Sequence, residues 1–299
     1  AAIILAGGTG ERFGKEGGKQ LVEIAGKPIL TWSAEAFDAV GDIGLIVIVC
    51  PEDRCSEYLK RAVDPFPFVT PIVVAPSGPS RQESAFSGLE FVPDDYEYVI
   101  LHDGARPLIS PDLIAHTIAT LKGNIDCDGA VVAHPAVDTL KVVENGVIVG
   151  TPDRRVFWNA QTPQVFRAGI YRRAHASALS DGFMGTDDSS LIERLGGRVL
   201  VVEGKRDNIK LTVPEDYLML AAAVRTNYMK GAEEWRARSI RPLCASGRAT
   251  TCTRSLRGEG SSWAAWTYRM RAGSWGTRMP TCSRTPSPMP CSAASAAAT

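Results

Sequence analysis

Three observations in the sequence predict an α/β protein built on a doubly wound, mostly parallel sheet. The first is an apolar run, Ala1 to Leu5, ending in a glycine-rich turn, Ala6 to Gly14. A buried strand feeding a loop at a sheet's carboxyl edge has this form. The second is the alternation of further apolar runs with helical stretches, the pattern of parallel strands joined by crossover helices. The third is a break in that rhythm after Pro135. There an Asn145-Gly146 turn separates two alternating segments and predicts a projecting β-hairpin arm over about residues 136–165.

The elements follow in order. GLIVIVC (Gly44–Cys50), VTPIVVA (Val69–Ala75), YEYVILH (Tyr96–His102) and GAVVAHP (Gly129–Pro135) are the further buried strands. Pro28 suits the first turn of a helix through Phe37. Ser80-Arg81-Gln82-Glu83 is a capping box that opens a helix through about Phe91. Ser110-Pro111-Asp112 caps another, ending near Lys122. Beyond the arm come a helix over Ala168–Leu179, a strand over Arg198–Val202 and a helix over Pro214–Val224.

The 299 residues carry 33 Lys+Arg and 33 Asp+Glu, but the balance is a cancellation. Residues 1–231 hold 23 basic and 30 acidic side chains, a net of −7, which leaves ten Arg and three Glu, or +7, for 232–299. An acidic body argues against non-specific nucleic-acid binding. The seven cysteines show no C-x-x-C and no metal-ligand spacing; Cys50, Cys55 and Cys127 read as reduced thiols. No apolar stretch approaches a membrane span and no signal peptide is present, so a cytoplasmic location is expected. The chain opens at Ala1 inside a strand without an initiator methionine, so a few leading residues are expected upstream. Residues 1–230 form the predicted domain, 231–243 a linker and 244–299 a disordered tail. In 241–299, Leu243 and Leu256 are the sole members of Ile, Leu, Val and Phe, too few to build a core.

The first loop suits a triphosphate. Its glycines let backbone N–H groups approach a ligand, and Arg12 adds a planar, permanent cation. Lys19, in GGKQL, adds a second. The loop is not a P-loop, and its spacing G-x-G-x-x-x-G from Gly8 is one residue too long for the dinucleotide fingerprint. An ordinary tight turn is the alternative.

Asp103, in HDGARP at a strand's carboxyl end, is placed to hold Mg²⁺ or another divalent cation; the alternative is a loop-capping carboxylate bonded to Arg106. In Asp207-Asn208-Ile209-Lys210, Lys210 is a third candidate cation and Asp207 a second candidate metal ligand, or the two are a solvated surface pair. Thr139, Arg154 and Thr162 are turn residues taken singly. Taken together, the hydroxyl–arginine–hydroxyl set suits a phosphorylated polyol.

Eight segments in this order, LAGGTGERFG, GGKQL, SRQES, HDGARP, DTLK, TPDR, QTPQ and EGKRDNIKLT, resemble the 2-C-methyl-D-erythritol 4-phosphate cytidylyltransferases over roughly residues 1–230. The first is shared by many nucleotidyltransferases; HDGARP with QTPQ and NIKLT is narrower. The resemblance implies a Rossmann-like nucleotidyltransferase fold and transfer of CMP from CTP to the polyol phosphate, with release of pyrophosphate. It implies that Arg12, Lys19 and Lys210 are catalytic and that Asp103 holds Mg²⁺. Ala6, Gly7, Gly8, Gly78 and Ser84 would form the nucleotide pocket, and Thr139, Arg154 and Thr162 the second-substrate site; Arg106 is a further candidate for substrate binding. It also implies a homodimer through the arm. One departure is Gly18, where the family usually has Pro. Two alternatives remain: another sugar- or polyol-phosphate nucleotidyltransferase, and a catalytically silent nucleotide-binding module.

The tail carries a second pattern. With G or C in third codon positions and the frame moved by two bases, CASGRATTCTRSL is compatible with R-V-G-A-G-H-D-V-H-A-L. TRMPTCSRTPSPMPCSAA is likewise compatible with A-D-A-D-V-L-A-H-A-V-A-D-A-L-L-G-G. The shifted reading resembles 2-C-methyl-D-erythritol 2,4-cyclodiphosphate synthase, a metal enzyme with a D-x-H motif and a known fusion partner of the cytidylyltransferases. Those ligands do not exist in this chain, so no second activity is expected of it. A native disordered tail is the alternative.

Overall fold

The structure, a computed structural model, describes residues 1–8 and 18–239, with side chains through residue 226. Arg12 and the tail from residue 240 onward therefore lie outside the described residues. Among the described residues a sheet of seven strands has the order β11-β7-β10-β6-β1-β4-β5. The strands are β1 (Ala2–Leu5), β4 (Ile46–Cys50), β5 (Ile72–Pro76), β6 (Tyr98–Asp103), β7 (Gly129–Pro135), β10 (Trp158–Arg167) and β11 (Val199–Glu203). All pairings are parallel except those of β10, which runs antiparallel to both its neighbours.

The continuous apolar character of β1 and β4 follows from their place, since every residue of both is buried. A parallel sheet covered on two faces leaves no side for water. On one face lie Ala2 and Ile4 of β1, packed with Leu30, Ala34 and Phe37 of α1 (Ile29–Asp38) and Ile114, Ile118 and Leu121 of α4 (Pro111–Lys122). On the other lie Ile3 and Leu5, packed with Ala85 and Leu89 of α3 (Arg81–Glu90) and Tyr171 and Ala174 of α5 (Ala168–Asp181). The double winding is therefore as expected. The capping box also forms: Ser80 Oγ accepts from Glu83 N, and the Glu83 carboxylate from Ser80 N. Pro28 sits one residue outside its helix rather than in its first turn. It ends a two-residue strand, β3 (Lys27–Pro28), paired with β2 (Glu23–Ile24).

The turn at Asn145-Gly146 joins β8 (Val142–Glu144) to β9 (Val147–Gly150) as an exposed hairpin. Its φ values of 48° and 79° are those of a type I′ turn, whose twist matches paired strands. The arm is shorter than the predicted 136–165. Gln161, Thr162 and Gln164 are not turn residues but part of β10, where a register shift between Ala160 and Gln164 interrupts the ladder with β7. Two helices were not legible in the sequence: α2 (Cys55–Tyr58), which runs into a π-helical turn through Val63, and α6 (Asp188–Arg194). The last, α7 (Pro214–Ser239), runs well past Val224.

From β1 the chain winds through β4 and β5 to one edge, then returns so that β6 pairs with the other side of β1. The strand order thus reverses between β1 and β6, and the carboxyl ends of these two strands are a topological switch point, where a crevice for ligands forms.

Candidate active site

The loop leaving β1 enters that crevice. Ala6 N donates to Val49 O at 2.7 Å, and the Ala6 carbonyl accepts from the Tyr58 hydroxyl at 3.2 Å. A Cβ on Gly7 would lie 2.3 Å from Ser77 Cβ, so only glycine lets this backbone pass the loop after β5. Together the two loops wall a cavity of about 580 Å³, reached by Gly8, Lys19, Gly78 and Ser84. Ser84 Oγ accepts from Gly78 N at 3.1 Å and donates to Ser80 O at 2.8 Å. Among the described residues its lining holds three cations, Lys19, Arg81 and Lys210, and one carboxylate, Asp103. A concave surface with that excess of positive charge attracts a polyanion.

Asp103 is the hub. Burial alone would raise its pKa, but Lys210, Arg81 and Arg106 overcome that and hold it well below the usual carboxylate range. Lys210 Nζ lies 3.0 Å from Oδ2, Arg106 Nε 3.2 Å from the same oxygen, and Arg81 Nε 3.7 Å from Oδ1. Arg106 also donates to Asn208 O at 2.7 Å, and Leu211 N to Ala105 O at 2.8 Å. These bonds dock the segment carrying Lys210 onto the end of β6. Arg81 is fixed from behind. Its Nη1 lies 2.6 Å from Asp188 Oδ2, while the Tyr171 hydroxyl donates to Asp188 Oδ1 at 2.6 Å. Burial and the adjacent Asp188 push the Tyr171 hydroxyl pKa far up, so it remains a donor.

A second cavity of about 520 Å³ opens on the other side of this cluster, against Arg106, Gln161, Thr162 and Asp187. Arg81, Asp103 and Lys210 line both cavities. Thr162 is held by a short relay. Asp103 N donates to Thr162 Oγ1 at 3.1 Å, and Thr162 Oγ1 lies 3.0 Å from His102 Nδ1. His102 Nε2 lies 3.3 Å from the Arg106 carbonyl, which can only accept. The neutral ring therefore carries its proton on Nε2, and the Thr162 hydroxyl donates to Nδ1. Burial drives the His102 pKa down to about 3.

The structure thus gathers Gly7, Gly8, Lys19, Gly78, Ser84, Arg106, Asp103, Thr162 and Lys210, all named from the sequence, at one crevice. Ala6 contributes its backbone beside it. Asp207 is exposed and lines neither cavity. Thr139 and Arg154 are exposed on the arm side, also outside both cavities, and Arg154 Nη1 donates to Val137 O at 2.6 Å. The sequence reading passed over three groups: Arg81, taken only as part of a helix cap, and its supports Asp188 and Tyr171. Arg81 and Asp188 are 107 positions apart, and no local pattern joins them.

This geometry agrees with comparison to known proteins. The family model for 2-C-methyl-D-erythritol 4-phosphate cytidylyltransferase matches residues 1–226. A cytidylyltransferase of that name from Syntrophotalea carbinolica is 41% identical over 225 residues, which are 75% of this chain and 95% of that protein. The crystal structure of the 4-diphosphocytidyl-2C-methyl-D-erythritol synthase from Anaerococcus prevotii aligns with a TM-score of 0.66 at 28% identity, over 75% of this chain and 95% of the other. The bifunctional IspDF from Campylobacter jejuni aligns with a TM-score of 0.60 at 25% identity, over 73% of this chain but 53% of the other. With a family match over residues 1–226, three quarters of the chain, and a charged crevice at the expected switch point, the chain belongs to the 2-C-methyl-D-erythritol 4-phosphate cytidylyltransferase family.

Proposed function

We propose that the crevice divides the family reaction between its two cavities, the first taking CTP and the second 2-C-methyl-D-erythritol 4-phosphate. The reaction joins CMP to the polyol phosphate, gives 4-diphosphocytidyl-2-C-methyl-D-erythritol and pyrophosphate, and belongs to isoprenoid biosynthesis. The observation that carries the division is the sharing of Arg81, Asp103 and Lys210 by both cavities. A transferring phosphoryl group must touch donor and acceptor sites at once, and these charges stand where the two meet.

In this reading a phosphate oxygen of the acceptor attacks the α-phosphorus of CTP, and the bond to the pyrophosphate oxygen breaks. Such transfer needs alignment and charge stabilisation rather than a covalent nucleophile. Lys19 and Lys210 stabilise charge growing on the α-phosphate, and Arg12, outside the described residues, is assigned the same task. Thr162 and Arg106 hold the acceptor. Asp103 is the single carboxylate lining the first cavity, and no group of three metal-ligating side chains occurs among the described residues. That donor set fits a Mg²⁺ ion carried by a triphosphate, with Asp103 its one protein carboxylate, rather than an all-protein cage. Such an ion would neutralise triphosphate charge. Asp207, exposed and away from both cavities, is given no metal role. Thr139 and Arg154 line neither cavity of their own chain, and we assign them, with the arm, to the site of a second copy in a homodimer. A cytoplasmic setting accords with the described residues, where no helix is long and apolar enough to cross a membrane.

Pyrophosphate release, measured with each nucleotide and several acceptor phosphates, tests the assignment. CTP with the methylerythritol phosphate should give the highest kcat/KM. Lys210→Ala should lower it by about 10²–10³ with folding intact, the usual cost of one preorganised contact. A stronger signal with another nucleotide or sugar phosphate would favour the broader nucleotidyltransferase reading, and no release at all the silent binding module.

We assign residues 244–299 to a frame-shifted remnant of a cyclodiphosphate synthase domain. Their poverty in core-forming residues supports this, as does the bifunctional C. jejuni protein, of which this chain's match covers about half. Sequencing the gene should reveal an open second frame beyond about codon 243, encoding D-V-H and D-A-D-V-L-x-H. A frame broken by stop codons would end the idea.

A further inference from the structure

Two thiols stand beside the nucleotide cavity and take no part in the chemistry above. Cys50 ends β4 and is fully buried. Its backbone is fixed: it pairs with Pro76, and its carbonyl accepts from Ser77 N at 2.8 Å. Cys55 opens α2 and is partly exposed. Their sulfurs are 3.5 Å apart, and Cys55 Sγ lies 3.5 Å from the Pro51 carbonyl. We propose that Cys50 and Cys55 are an oxidative modification site, closed to a disulfide by peroxides, that loosens the nucleotide pocket.

The exposed sulfur reacts first. The Cys55 thiol gives up its proton and the thiolate attacks one oxygen of hydrogen peroxide; the O–O bond breaks, and the products are a sulfenic acid and hydroxide, which takes up that proton to leave as water. The Cys50 sulfur then attacks Cys55 Sγ. The S–O bond breaks, and the oxygen leaves as water with the Cys50 proton. In sum, two thiols and one peroxide give one disulfide and two waters; the sulfurs lose two electrons and the peroxide gains them. Burial, with Cys55 beside it, pushes the Cys50 thiol pKa up. Cys50 is thereby poorly suited to attack peroxide itself; what makes it the resolving thiol is its place, 3.5 Å from Cys55 Sγ.

Closure has a direction. A disulfide holds its sulfurs at about 2.05 Å, so the pair must draw together from 3.5 Å. Cys50 is anchored in the sheet, so Pro51–Arg54 and α2 must move. Pro51 lines the nucleotide cavity. Tyr58, on α2, donates to the Ala6 carbonyl, and its hydroxyl is 3.4 Å from Gln20 Oε1. That hydroxyl stands only 2.6 Å from where a Cβ on Gly18 would be, and Gly18 has a φ of 76°. Drawing α2 toward the strand therefore displaces Tyr58 against the backbone that presents Lys19 and Gln20.

The test uses the full chain, reduced and then treated with hydrogen peroxide, alkylated and digested with trypsin without reductant. Cleavage after Lys19, Arg54 and Lys60 should leave Gln20–Arg54 joined to Cys55–Lys60. The linked pair should vanish with dithiothreitol and be absent from Cys55→Ser. Absence of the link in the native chain, or Cys55 joined to a different cysteine, overturns the site. The KM for CTP should rise at least about threefold on oxidation and return on reduction, while Cys55→Ser keeps one value throughout. A linked peptide with an unmoved KM overturns the coupling to the pocket. This second readout rests on the nucleotide reading of the cavity, and the first does not. A linked peptide in a protein that never turns over CTP would sink that reading and leave the modification site standing.

Discussion

Asp103 is stable as an anion only because three cations converge on it, and each cation needs its own support. For Arg81 the support is Asp188, buried and bonded to Tyr171. Removing one member of a buried charge pair leaves the other uncompensated, at a cost of about 3–5 kcal/mol; Arg81 is one third exposed, so the lower end applies. Asp188→Asn should therefore lower denaturant stability by about 3 kcal/mol and also reduce kcat/KM, because Arg81 is freed from its aim at the cavities. Urea unfolding and pyrophosphate release check the two effects. Unchanged stability would mean that Arg81 finds its place without Asp188. At this scale the sequence named Asp103, Lys19 and Lys210, since each stands at a loop after a strand. It was silent on Arg81, whose partners come from distant elements.

The hairpin of β8 and β9 exposes Val142, Val143, Val147, Ile148 and Val149. An isolated two-stranded ribbon is marginal in water, and these side chains need a surface to cover them. A second arm related by a twofold axis offers one to each, and would carry Thr139 and Arg154 toward the neighbour's acceptor cavity. If so, Arg154→Ala and Lys19→Ala, each inactive, should complement on subunit exchange. Random mixing makes half the dimers mixed, and half of their sites intact, so about a quarter of wild-type turnover should return. No recovery, with exchange confirmed by mass, would put Arg154 to work in its own chain. The turn was plain in the sequence because Asn-Gly encodes the positive φ values it adopts. The antiparallel β10 was hidden. Its Thr-Pro dipeptide and glutamines look like turn chemistry, and only pairing on both sides with β6 and β7 makes them a strand.

For the whole molecule, buried bases tie stability to pH: burial lowers the pKa of His102, of His175 and of the Ala1 amine, and His102 is shifted furthest among the histidines. His102 is neutral in the folded chain, with its pKa driven to about 3 by burial, against a usual 6.5. Unfolding between those values takes up a proton, so this contribution is complete above about pH 6.5 and drains away as pH falls toward 3. The slope is at most about 1.4 kcal/mol per pH unit. Denaturant titrations at pH 7 and pH 5 should show that loss, and His102→Asn should show a shallower one. Equal slopes in the two proteins would assign the acid sensitivity to other groups.

The sequence by itself determined the class of fold, because a strand buried on both sides must be apolar throughout and a helix between strands must carry one apolar face. It determined the backbone of Gly7 and Gly8 as a cavity wall, the charged residues that end β6 and follow β11, and the family, because those residues sit within short contiguous motifs. Tertiary structure decided what no contiguous segment encodes. It set β10 antiparallel between β6 and β7, left Asp207 at the surface while Lys210 turned inward, and joined Arg81 to Asp188 and His102 to Thr162. The pairing of β10, the turn of Lys210 toward Asp103 and the two side-chain pairs are contacts between segments tens of residues apart, made by the winding of the sheet rather than by local preference.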